Sequence, residues 1–218
     1  METILRDQIV KHLEAYNIIR DSQHGFRRGR SCLTNLLYFY EDMHEKIDNK
    51  KPVDIIYLDF EKAFDKVPHK RLIAKLKSHG INGDICAWIE DWLKDRKQRV
   101  VINGKQSPWA DVHSGVPQGS VLGPILFTIY INDIDTDVKC KISKFADDTK
   151  LGYPCKTKED CNIIQQDLNK IVEWSEKWQM SFNIDKCKVM HIGSSNENYQ
   201  YTMNNKVLQS ASEEKILE

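Results

Sequence analysis

The sequence predicts an α+β fold, and three observations lead to this prediction. Several stretches carry apolar residues at helical spacing, which is typical of amphipathic helices. Val53 to Leu58 is a nearly continuous apolar run, which is typical of a strand covered on both faces in the middle of a sheet. Two further stretches, 144–152 and 99–112, have the signals of β-hairpins, the second with Asn103-Gly104 at its turn.

The helices are predicted in chain order from their apolar periodicity and their ends. Ser31 is placed to cap the second helix, and Gly80 follows the last periodic residue of the third. The predicted segments are Glu2 to Tyr16, a helix after Ser31, His69 to His79, Asp84 to Leu93, a helix that ends near Asn132, and Glu159 to Trp178. A loop and a strand are predicted within 182–192.

The composition is that of a folded chain of one domain, or of one domain with a small lobe. The 218 residues are 40% hydrophobic and include five tryptophans, which is enough for a core. The 32 basic residues are balanced by 32 acidic ones, so the overall charge does not indicate nucleic-acid binding. Local runs carry more information, and bases cluster in two of them: Arg27, Arg28 and Arg30, and Lys94, Arg96, Lys97 and Arg99.

The six cysteines are predicted to be free and mostly buried thiols. They include no C-x-x-C pair, and the local ligand spacings of a zinc site are missing. We therefore expect no disulfide partner and a reduced intracellular compartment, the cytoplasm or the nucleus. No stretch resembles a signal peptide or is long enough to span a bilayer, so the sequence predicts neither secretion nor a membrane partner.

Three acidic residues at strand ends are candidates for a metal site. Asp147 and Asp148 occupy the turn of the hairpin 144–152, and Asp59 follows the strand Val53 to Leu58. An isolated Asp-Asp pair is more often an exposed turn. Adjacent carboxylates repel each other, however, and a divalent cation removes this repulsion. Two strands that deliver three acids to one point provide the minimum for two-metal phosphoryl transfer.

Two glycine-containing loops each allow two interpretations. The basic loop 21–31 is either a solvated linker or a phosphate-contacting loop, since Arg binds phosphate bidentately and Gly allows close backbone approach. The loop 114–124 is either a structural turn or a surface close to a base or sugar. Gln118 is the only long polar side chain in this second loop.

Four sequence blocks stand in a fixed order along the chain. They are the basic loop, Leu58-Asp59-Phe60 with Ala63-Phe64-Asp65, Gly115-Val116-Pro117-Gln118-Gly119, and Phe145-Ala146-Asp147-Asp148. Together they resemble the reverse transcriptase of a non-LTR (LINE-type) retrotransposon, closest to the jockey-like group, over residues 20–193. The resemblance implies a right-hand polymerase, in which an antiparallel palm sheet is backed by helices and joined to fingers elements.

The resemblance also implies a division of the chain. Residues 1–193 are expected to form fingers and palm, with the fingers mainly in 1–50 and 66–113 and the palm mainly in 51–65 and 114–193. Residues 194–218 are expected to be a polar tail at the start of the primer-grip and thumb region. Because the family's thumb and endonuclease domain are absent from this sequence, we expect a truncated copy of such an element.

The resemblance assigns the chemistry to four residues. Asp59, Asp147 and Asp148 would be catalytic carboxylates and the ligands of two Mg²⁺ ions, with Mn²⁺ as a substitute. One ion would activate the primer 3′-hydroxyl, and the other would neutralise the leaving oxygens. Lys186 resembles the lysine that protonates the leaving pyrophosphate, and its alternative is a solvated surface lysine.

The remaining family positions would contact nucleotide and template. The backbone carbonyl of Phe60 would assist at the nucleotide-side metal, and the ring of Phe64 would lie under the deoxyribose and exclude a 2′-hydroxyl. Gln118 and Gly119 match a loop that contacts nucleotide and template. The fingers region that handles template and triphosphate is represented by Arg27 and Arg30.

The leading hypothesis is therefore an RNA-directed DNA polymerase core that extends a DNA primer on an RNA template with dNTPs. The alternative is a catalytically inactive retrotransposon remnant with at most weak nucleic-acid binding. A nucleotidyl cyclase on a similar palm is disfavoured, because Phe145-Ala146-Asp147-Asp148 is not a Gly-Gly-Asp/Glu-Glu-Phe-type hairpin. The sequence makes no prediction of oligomeric state.

Overall fold

The computed structural model describes residues 1–213 of the chain. These residues divide into two compact units. Unit 1 comprises Met1–Ile18 and Lys62–Tyr130, and unit 2 comprises Ile19–Glu61 and Ile131–Glu218, of which residues 214–218 lie outside the described part.

Six helices lie where the sequence predicts them, with ends that differ by one or two residues, and the short helix α3 was not predicted. They are α1 Glu2–Ala15, α2 Cys32–Asp48, α3 Ala63–Lys66, α4 His69–Ser78, α5 Gly83–Leu93, α6 Gly123–Tyr130 and α7 Lys158–Trp178. The predicted cap of α2 is confirmed, because the Ser31 hydroxyl accepts the backbone N–H of Thr34 in a capping box.

The strands include both predicted hairpins and the predicted central strand. They are β1 Val53–Leu58, β2 Lys97–Gln98, β3 Val101–Ile102, β4 Lys105–Gln106, β5 Ala110–Asp111, β6 Lys141–Phe145, β7 Asp148–Pro154, β8 Lys188–Ile192, β9 Thr202–Met203, β10 Lys206–Val207 and β11 Gln209–Ser210.

β1 is the central strand of a five-stranded sheet in unit 2, whose order is β11-β8-β1-β7-β6. Neighbouring strands pair antiparallel, except that β11 pairs in parallel with β8. Every residue of β1 except Tyr57 is buried. The continuous apolar run in the sequence is thus explained by a strand with partners on both edges and cover on both faces.

α2 packs on the face of this sheet through Phe39 and Met43, which contact Val53 and Ile55 of β1. Gly152 of β7 makes room for the helix, since an added Cβ would lie 2.4 Å from the Met43 sulfur. Residues 19–50, assigned to the fingers on the sequence, therefore lie in the unit that contains the sheet. The apolar face of α2 explains this position, because it can be buried only against the sheet.

The described part of the predicted polar tail is packed against the rest of unit 2. Tyr201, Met203 and Leu208 are almost fully buried, and β11 extends the sheet beside β8. The Tyr201 hydroxyl donates to Asp54 over 2.6 Å. The apolar residues spaced among polar ones in 199–210 thus join the core of unit 2, whereas 214–218 lie outside the described residues.

Cys155 and Cys161 form a disulfide, so the prediction of free thiols without a disulfide partner is wrong for this pair. Cys155 follows β7, and Cys161 lies in the first turn of α7. Thr157 caps α7 between them, and the chain folds back so that the two Cα atoms are 5.5 Å apart, which suits a disulfide. The remaining cysteines, Cys32, Cys86, Cys140 and Cys187, are free.

Unit 1 consists of α1, α3 to α6 and a β-ribbon. α4 packs against α5 and α6, and α6 is buried over most of its length. Residues 97–111, called the ribbon below, form two short antiparallel pairs, β2 with β5 and β3 with β4. At its tip Asn103 and Gly104 have φ of 48° and 77°, as the predicted Asn-Gly turn requires.

Among residues 1–213, no helix combines the length and the apolar character needed to cross a bilayer.

Candidate active site

Asp59 comes directly after β1 and is held there through its backbone. Its N–H donates to the Cys187 sulfur over 3.5 Å, and its carbonyl accepts the N–H of Asn183 over 2.8 Å. Two residues further on, the N–H of Glu61 donates to the Ser181 carbonyl. These bonds use the backbone on both sides of the site and leave the Asp59 carboxylate partly exposed at the end of the sheet.

Asp147 and Asp148 lie at the turn between β6 and β7. Phe145 pairs with Asp148, so Ala146 and Asp147 are the two turn residues. Leu58 of β1 pairs with Thr149 of β7 in antiparallel register. Asp59 and Asp148 are therefore the next residues at the same end of two adjacent strands, and the fold brings the three carboxylates to one end of the sheet.

Gln23 holds the turn in place from the basic loop. Ala146 has a φ of 53°, a conformation that a residue with a Cβ adopts only when its surroundings enforce it. The buried Gln23 side chain accepts the N–H of Ala146 over 3.1 Å and that of Gly25 over 2.7 Å. Its amide also donates to the Ala146 carbonyl over 3.4 Å.

Gly25 allows the basic loop to approach this turn. A Cβ at Gly25 would lie 2.3 Å from the backbone nitrogen of Ala146, so no other residue fits without a backbone shift. In addition, the N–H of His24 donates to the carbonyl of Lys144 in β6, and the N–H of Lys144 donates to the carbonyl of Ser22. The basic loop is therefore a backbone support for the turn that carries Asp147.

The electrostatics of the site favour a bound cation. Partial burial and the charge of Asp59 raise the pKa of Asp147. Partial burial, followed by the charges of Asp147 and Asp59, raises the pKa of Asp148. The charged forms of Asp147 and Asp148 are thus destabilised by burial and by neighbouring carboxylates, and a divalent cation beside them would remove this repulsion.

The ligand oxygens of Asp59, Asp147 and Asp148 do not all lie within 4.8 Å of one another. Within residues 1–213, only Asp54, Cys155 and Cys161 place three ligand atoms within 4.8 Å of one another. That group lies elsewhere in unit 2, its cysteines are joined in the disulfide, and Asp54 accepts hydrogen bonds from His191 and Tyr201. The polar atoms of that group are therefore already engaged within the protein.

Lys186 lies beside the candidate site, where its Nζ is 3.7 Å from Oδ2 of Asp59. Its backbone N–H donates to the Asn183 carbonyl, so the short loop that supports Asp59 also carries this lysine. The side chain is 67% exposed, and so an ion pair of this kind adds little stability. Its position leaves the ammonium able to reach a phosphate near Asp59.

Lys150 is a second cation close to the carboxylates, and the sequence analysis did not single it out. Its Nζ is buried without a hydrogen-bond partner among the described residues and lies 4.9 Å and 5.1 Å from the ring centres of Phe39 and Tyr40. Burial lowers the pKa of Lys150 to about 8, and the charge of Asp148 opposes this effect.

Phe60 has a buried ring, and its own backbone groups make none of the hydrogen bonds of the bridge to Phe182. The ring stacks on Phe182 with centres 4.4 Å apart. The bridge between these residues uses the Asp59 carbonyl and the Glu61 N–H. The Phe60 carbonyl is therefore not consumed by this bridge, as its predicted role beside a metal requires.

Arg27 and Arg30 are engaged within their own loop. Arg27 donates to the carbonyls of Arg20 and Gln23, and Arg30 donates to Asp21 over 3.1 Å. Burial and the charges of both arginines lower the pKa of the neighbouring His24 to about 4. The structure thus gives both arginines a role in shaping the loop, and their contact with template or triphosphate stays a prediction.

Phe64, Gln118 and Gly119 lie together in unit 1. The Phe64 ring stacks on Phe127 with centres 4.7 Å apart, and its carbonyl accepts the N–H of Val116. Gln118 and Gly119 are exposed in the loop that follows. The hydrogen bond between Val116 and Phe64 thus brings the loop that carries Gln118 and Gly119 next to Phe64.

Gly115 explains why this loop can lie so close to α3. A Cβ at Gly115 would lie 2.7 Å from the backbone of Asp65, and the Ser114 hydroxyl donates to the Asp65 carbonyl over 2.8 Å. Arg96 and His69 bond to the Gly115 carbonyl from the other side. The glycine in this block of the sequence is therefore required by packing.

The supporting residues Gln23, Gly25 and Cys187 were missed as site residues. Each acts on a residue more than a hundred positions away in the chain, through the bonds described above. The only signal in the sequence was the position of Gln23 and Gly25 in the basic loop.

The fold is that of a right-hand polymerase. Apo telomerase of Candida tropicalis, truncated from its C-terminal domain, superposes with a TM-score of 0.63 at 14% identity, over 90% of this chain and 42% of that one. Telomerase of Candida albicans in complex with a fragment of telomeric RNA gives a TM-score of 0.62 at 17% identity, over 90% and 35% of the two chains. These similarities define the class of fold.

Residues 2–213 match the family model of reverse transcriptases (RNA-dependent DNA polymerases), and the chain belongs to this family. A probable RNA-directed DNA polymerase from transposon X-element of Drosophila melanogaster is 31% identical over 85% of this chain. The RNA-directed DNA polymerase from mobile element jockey of Drosophila funebris is 29% identical over 86% of it. The alignments span 21% of each of these proteins, so the chain covers about a fifth of their length. The predicted similarity to non-LTR retrotransposon enzymes is confirmed.

Proposed function

We propose that this chain is the catalytic part of an RNA-directed DNA polymerase. It would transfer a nucleotidyl group from a dNTP to the 3′-hydroxyl of a DNA primer paired to an RNA template. The observation that carries the proposal is the placement of Asp59, Asp147 and Asp148 at one end of β1 and β7. The names of the retrotransposon relatives support the same reaction.

The three carboxylates would hold two Mg²⁺ ions, or Mn²⁺ in their place. Carboxylate oxygens are the protein ligands that Mg²⁺ prefers in phosphoryl-transfer sites, and the raised pKa values of Asp147 and Asp148 support a cation in this position. The bound ions would supply activation of the primer hydroxyl and charge neutralisation at the leaving group.

The other residues would position the substrates. Lys186, beside Asp59, would interact with the leaving pyrophosphate and supply its proton. The carbonyl of Phe60 would face the nucleotide-side metal, and the ring of Phe64 would lie under the sugar. Nucleotide and template would contact Gln118, Gly119, Arg27 and Arg30.

We extend the proposal to the division of labour along the chain. The sheet of unit 2 would serve as the palm, which presents the carboxylates. Residues 1–50 and 66–113 would contribute most of the fingers, with α2 bridging both roles because it packs on the sheet.

Primer extension tests the reaction directly. Purified protein in excess would be assayed on a poly(rA)/oligo(dT) substrate with Mg²⁺ at low salt, and binding of the same substrate would be measured in parallel. We expect extension by the wild-type protein and a loss of at least about a hundredfold in Asp147→Asn, because electrostatic stabilisation dominates such transfers. The matched control is Asp48→Asn, which neutralises an exposed aspartate at the end of α2.

Two outcomes would contradict the proposal. Extension that survives in Asp147→Asn would remove this carboxylate from the reaction. A folded wild-type protein that binds the substrate and extends no primer would support the alternative, a catalytically inactive retrotransposon remnant.

The sugar filter gives a separate prediction. Phe64→Val should increase incorporation of ribonucleotides relative to deoxyribonucleotides by about tenfold or more, because a smaller side chain leaves room for the 2′-hydroxyl. The measurement is the ratio of kcat/KM for the two nucleotides, and Phe127→Leu controls for loosening of the stack beneath Phe64. An unchanged ratio in Phe64→Val would exclude this role.

A further inference from the structure

The ribbon is the most exposed element of unit 1. Every residue from Lys97 to Asp111 is exposed, and among them are four large apolar side chains. Val100, Val101, Ile102 and Trp109 are 60%, 55%, 65% and 59% exposed. Adjacent strand residues point to opposite faces, so Val101 and Ile102 leave apolar groups open on both sides. Exposed apolar groups at this density are typical of an interaction site.

Positive charge is concentrated on the same element. Residues 94–111 contain more basic than acidic side chains, whereas the whole chain carries 32 residues of each sign. The basic residues are Lys94, Arg96, Lys97, Arg99 and Lys105, and the acidic ones are Asp95 and Asp111. Asp111 is paired with Lys97 at 3.4 Å, and Arg96 bonds to Gly115. Lys94 pairs with Glu90. Arg99 donates to the side-chain oxygen of Gln106, but neither Arg99 nor Lys105 makes an ion pair with the described residues, so both charges are available to a ligand.

Trp109 and Arg99 form a stacked pair on the ribbon. The Arg99 guanidinium carbon lies 4.4 Å from the centre of the Trp109 ring. The cation covers one face of the indole and restricts its motion, and the ring is still 59% exposed. A flat aromatic surface beside a guanidinium is suited to a nucleobase on the open face and a phosphate at the cation.

From these observations we propose that the ribbon binds single-stranded nucleic acid, with Trp109 stacking on a base and Arg99 and Lys105 contacting phosphates. A protein partner fits less well, because lysine is depleted at protein–protein interfaces, and the ribbon carries Lys97 and Lys105. The inference deepens the proposed function, since the bound strand would be the unpaired part of the template.

The test measures binding apart from catalysis. Fluorescence anisotropy with a labelled, unpaired RNA oligonucleotide is recorded at low salt in EDTA without dNTP, so no polymerase activity is needed. Trp109→Ala should weaken binding about tenfold, as loss of one stacked base predicts, whereas Trp109→Phe should retain most of the affinity. Lys105→Gln should lower the slope of log affinity against log salt by about 0.7.

Tyr16→Ala is the matched control, because Tyr16 is another highly exposed aromatic residue of unit 1, at the C-terminal end of α1. It should leave the affinity unchanged, and thermal unfolding should show that all variants are folded. Affinity of Trp109→Ala within twofold of wild type would overturn the proposal, as would equal losses in Tyr16→Ala.

Three further outcomes are decisive. A duplex that competes as well as the single strand would overturn base stacking, because paired bases offer no open face. Loss of self-association in Trp109→Ala, at unchanged RNA affinity, would identify the ribbon as a protein-docking surface instead. If the protein extends no primer but still binds RNA through the ribbon, this result counts against the proposed reaction only. If the wild-type protein binds no RNA, the proposed role of the ribbon is overturned.

Discussion

Asp147 and Asp148 are adjacent carboxylates at the end of two strands, and both have raised pKa values. A raised carboxyl pKa means that the folded state favours the protonated form. At neutral pH the charged form therefore lowers stability, and this cost disappears in acid, where the carboxyl is protonated in both states. The residues that are suited to hold a cation thus lower the stability of the folded protein when no cation is bound.

Asp147→Asn should raise the free energy of unfolding at neutral pH in EDTA, by up to about 1 kcal/mol, because it removes a partly buried like charge. The gain should shrink at mildly acidic pH. Adding Mg²⁺ should stabilise the wild-type protein more than the variant, since a ligand of the folded state shifts the unfolding equilibrium. Thermal unfolding with and without Mg²⁺ checks this, and an equal response to Mg²⁺ in both proteins would contradict it.

Lys150→Met should also stabilise the protein, because methionine keeps the buried stem and removes an ammonium without a hydrogen-bond partner. The pKa of Lys150 is lowered to about 8, so the folded state favours the neutral amine. We expect a gain of about 1–3 kcal/mol below pH 8. Between about pH 8 and the unfolded value of 10.5 the wild-type protein should recover this difference.

The measurement for Lys150 is chemical unfolding of both proteins across this pH range. Lys188→Met, on β8 of the same sheet, serves as a control for the general effect of removing a lysine. A gain that is independent of pH would show that the ammonium is not the cause.

At the scale of elements, the basic loop supports the hairpin of β6 and β7 through hydrogen bonds to its turn and to Lys144. Gln23→Ala would leave the N–H groups of Ala146 and Gly25 buried without their acceptor. An unsatisfied buried donor costs about 1–3 kcal/mol. We expect a loss of stability in this range and faster hydrogen exchange at the Ala146 amide, which NMR can follow.

Gln23→Glu is the informative companion, because it keeps the accepting oxygen and loses only the donor to the Ala146 carbonyl. It should retain slow exchange at Ala146 while adding a negative charge near the carboxylates. If Gln23→Ala exchanges at the wild-type rate, the bond to Gln23 does not hold the turn.

At the scale of the whole molecule, the disulfide between Cys155 and Cys161 joins the end of β7 to the start of α7. Denatured, unreduced protein should titrate four thiols, and reduced protein six. Reduction should lower the free energy of unfolding by about 2 kcal/mol, as expected for a short closed loop. Cys155→Ser should abolish this response and Cys32→Ser should preserve it, whereas six thiols without reductant would contradict the pairing.

Much of this architecture could be predicted because it depends on local patterns. The apolar run of β1, the Asn103-Gly104 turn and the Ser31 cap each encode their structure within a few residues. The resemblance also brought Asp59 and Asp147 into one hypothesis. Sequence spacing could not predict the contacts of Gln23, because they depend on a turn 123 positions away.

The same reason explains the disulfide and the packed C-terminal region. Cys155 and Cys161 meet because a helix cap folds the chain back between them. Tyr201 is buried because its hydroxyl finds Asp54, 147 positions earlier in the chain. These contacts follow from the assembled fold, and composition alone makes the same residues look polar and unstructured.

The parallel pairing of β11 with β8 has a practical consequence for anyone who shortens this chain. Ending it at Gly193, the limit of the resemblance drawn from the sequence blocks, would remove β11 together with the buried Tyr201. β8 would then present an unpaired row of backbone donors and acceptors to solvent, and such an edge recruits strands from other molecules. Fibrillar or insoluble material from a 193-residue fragment would thus report a bare sheet edge rather than a defect in the hairpin of β6 and β7.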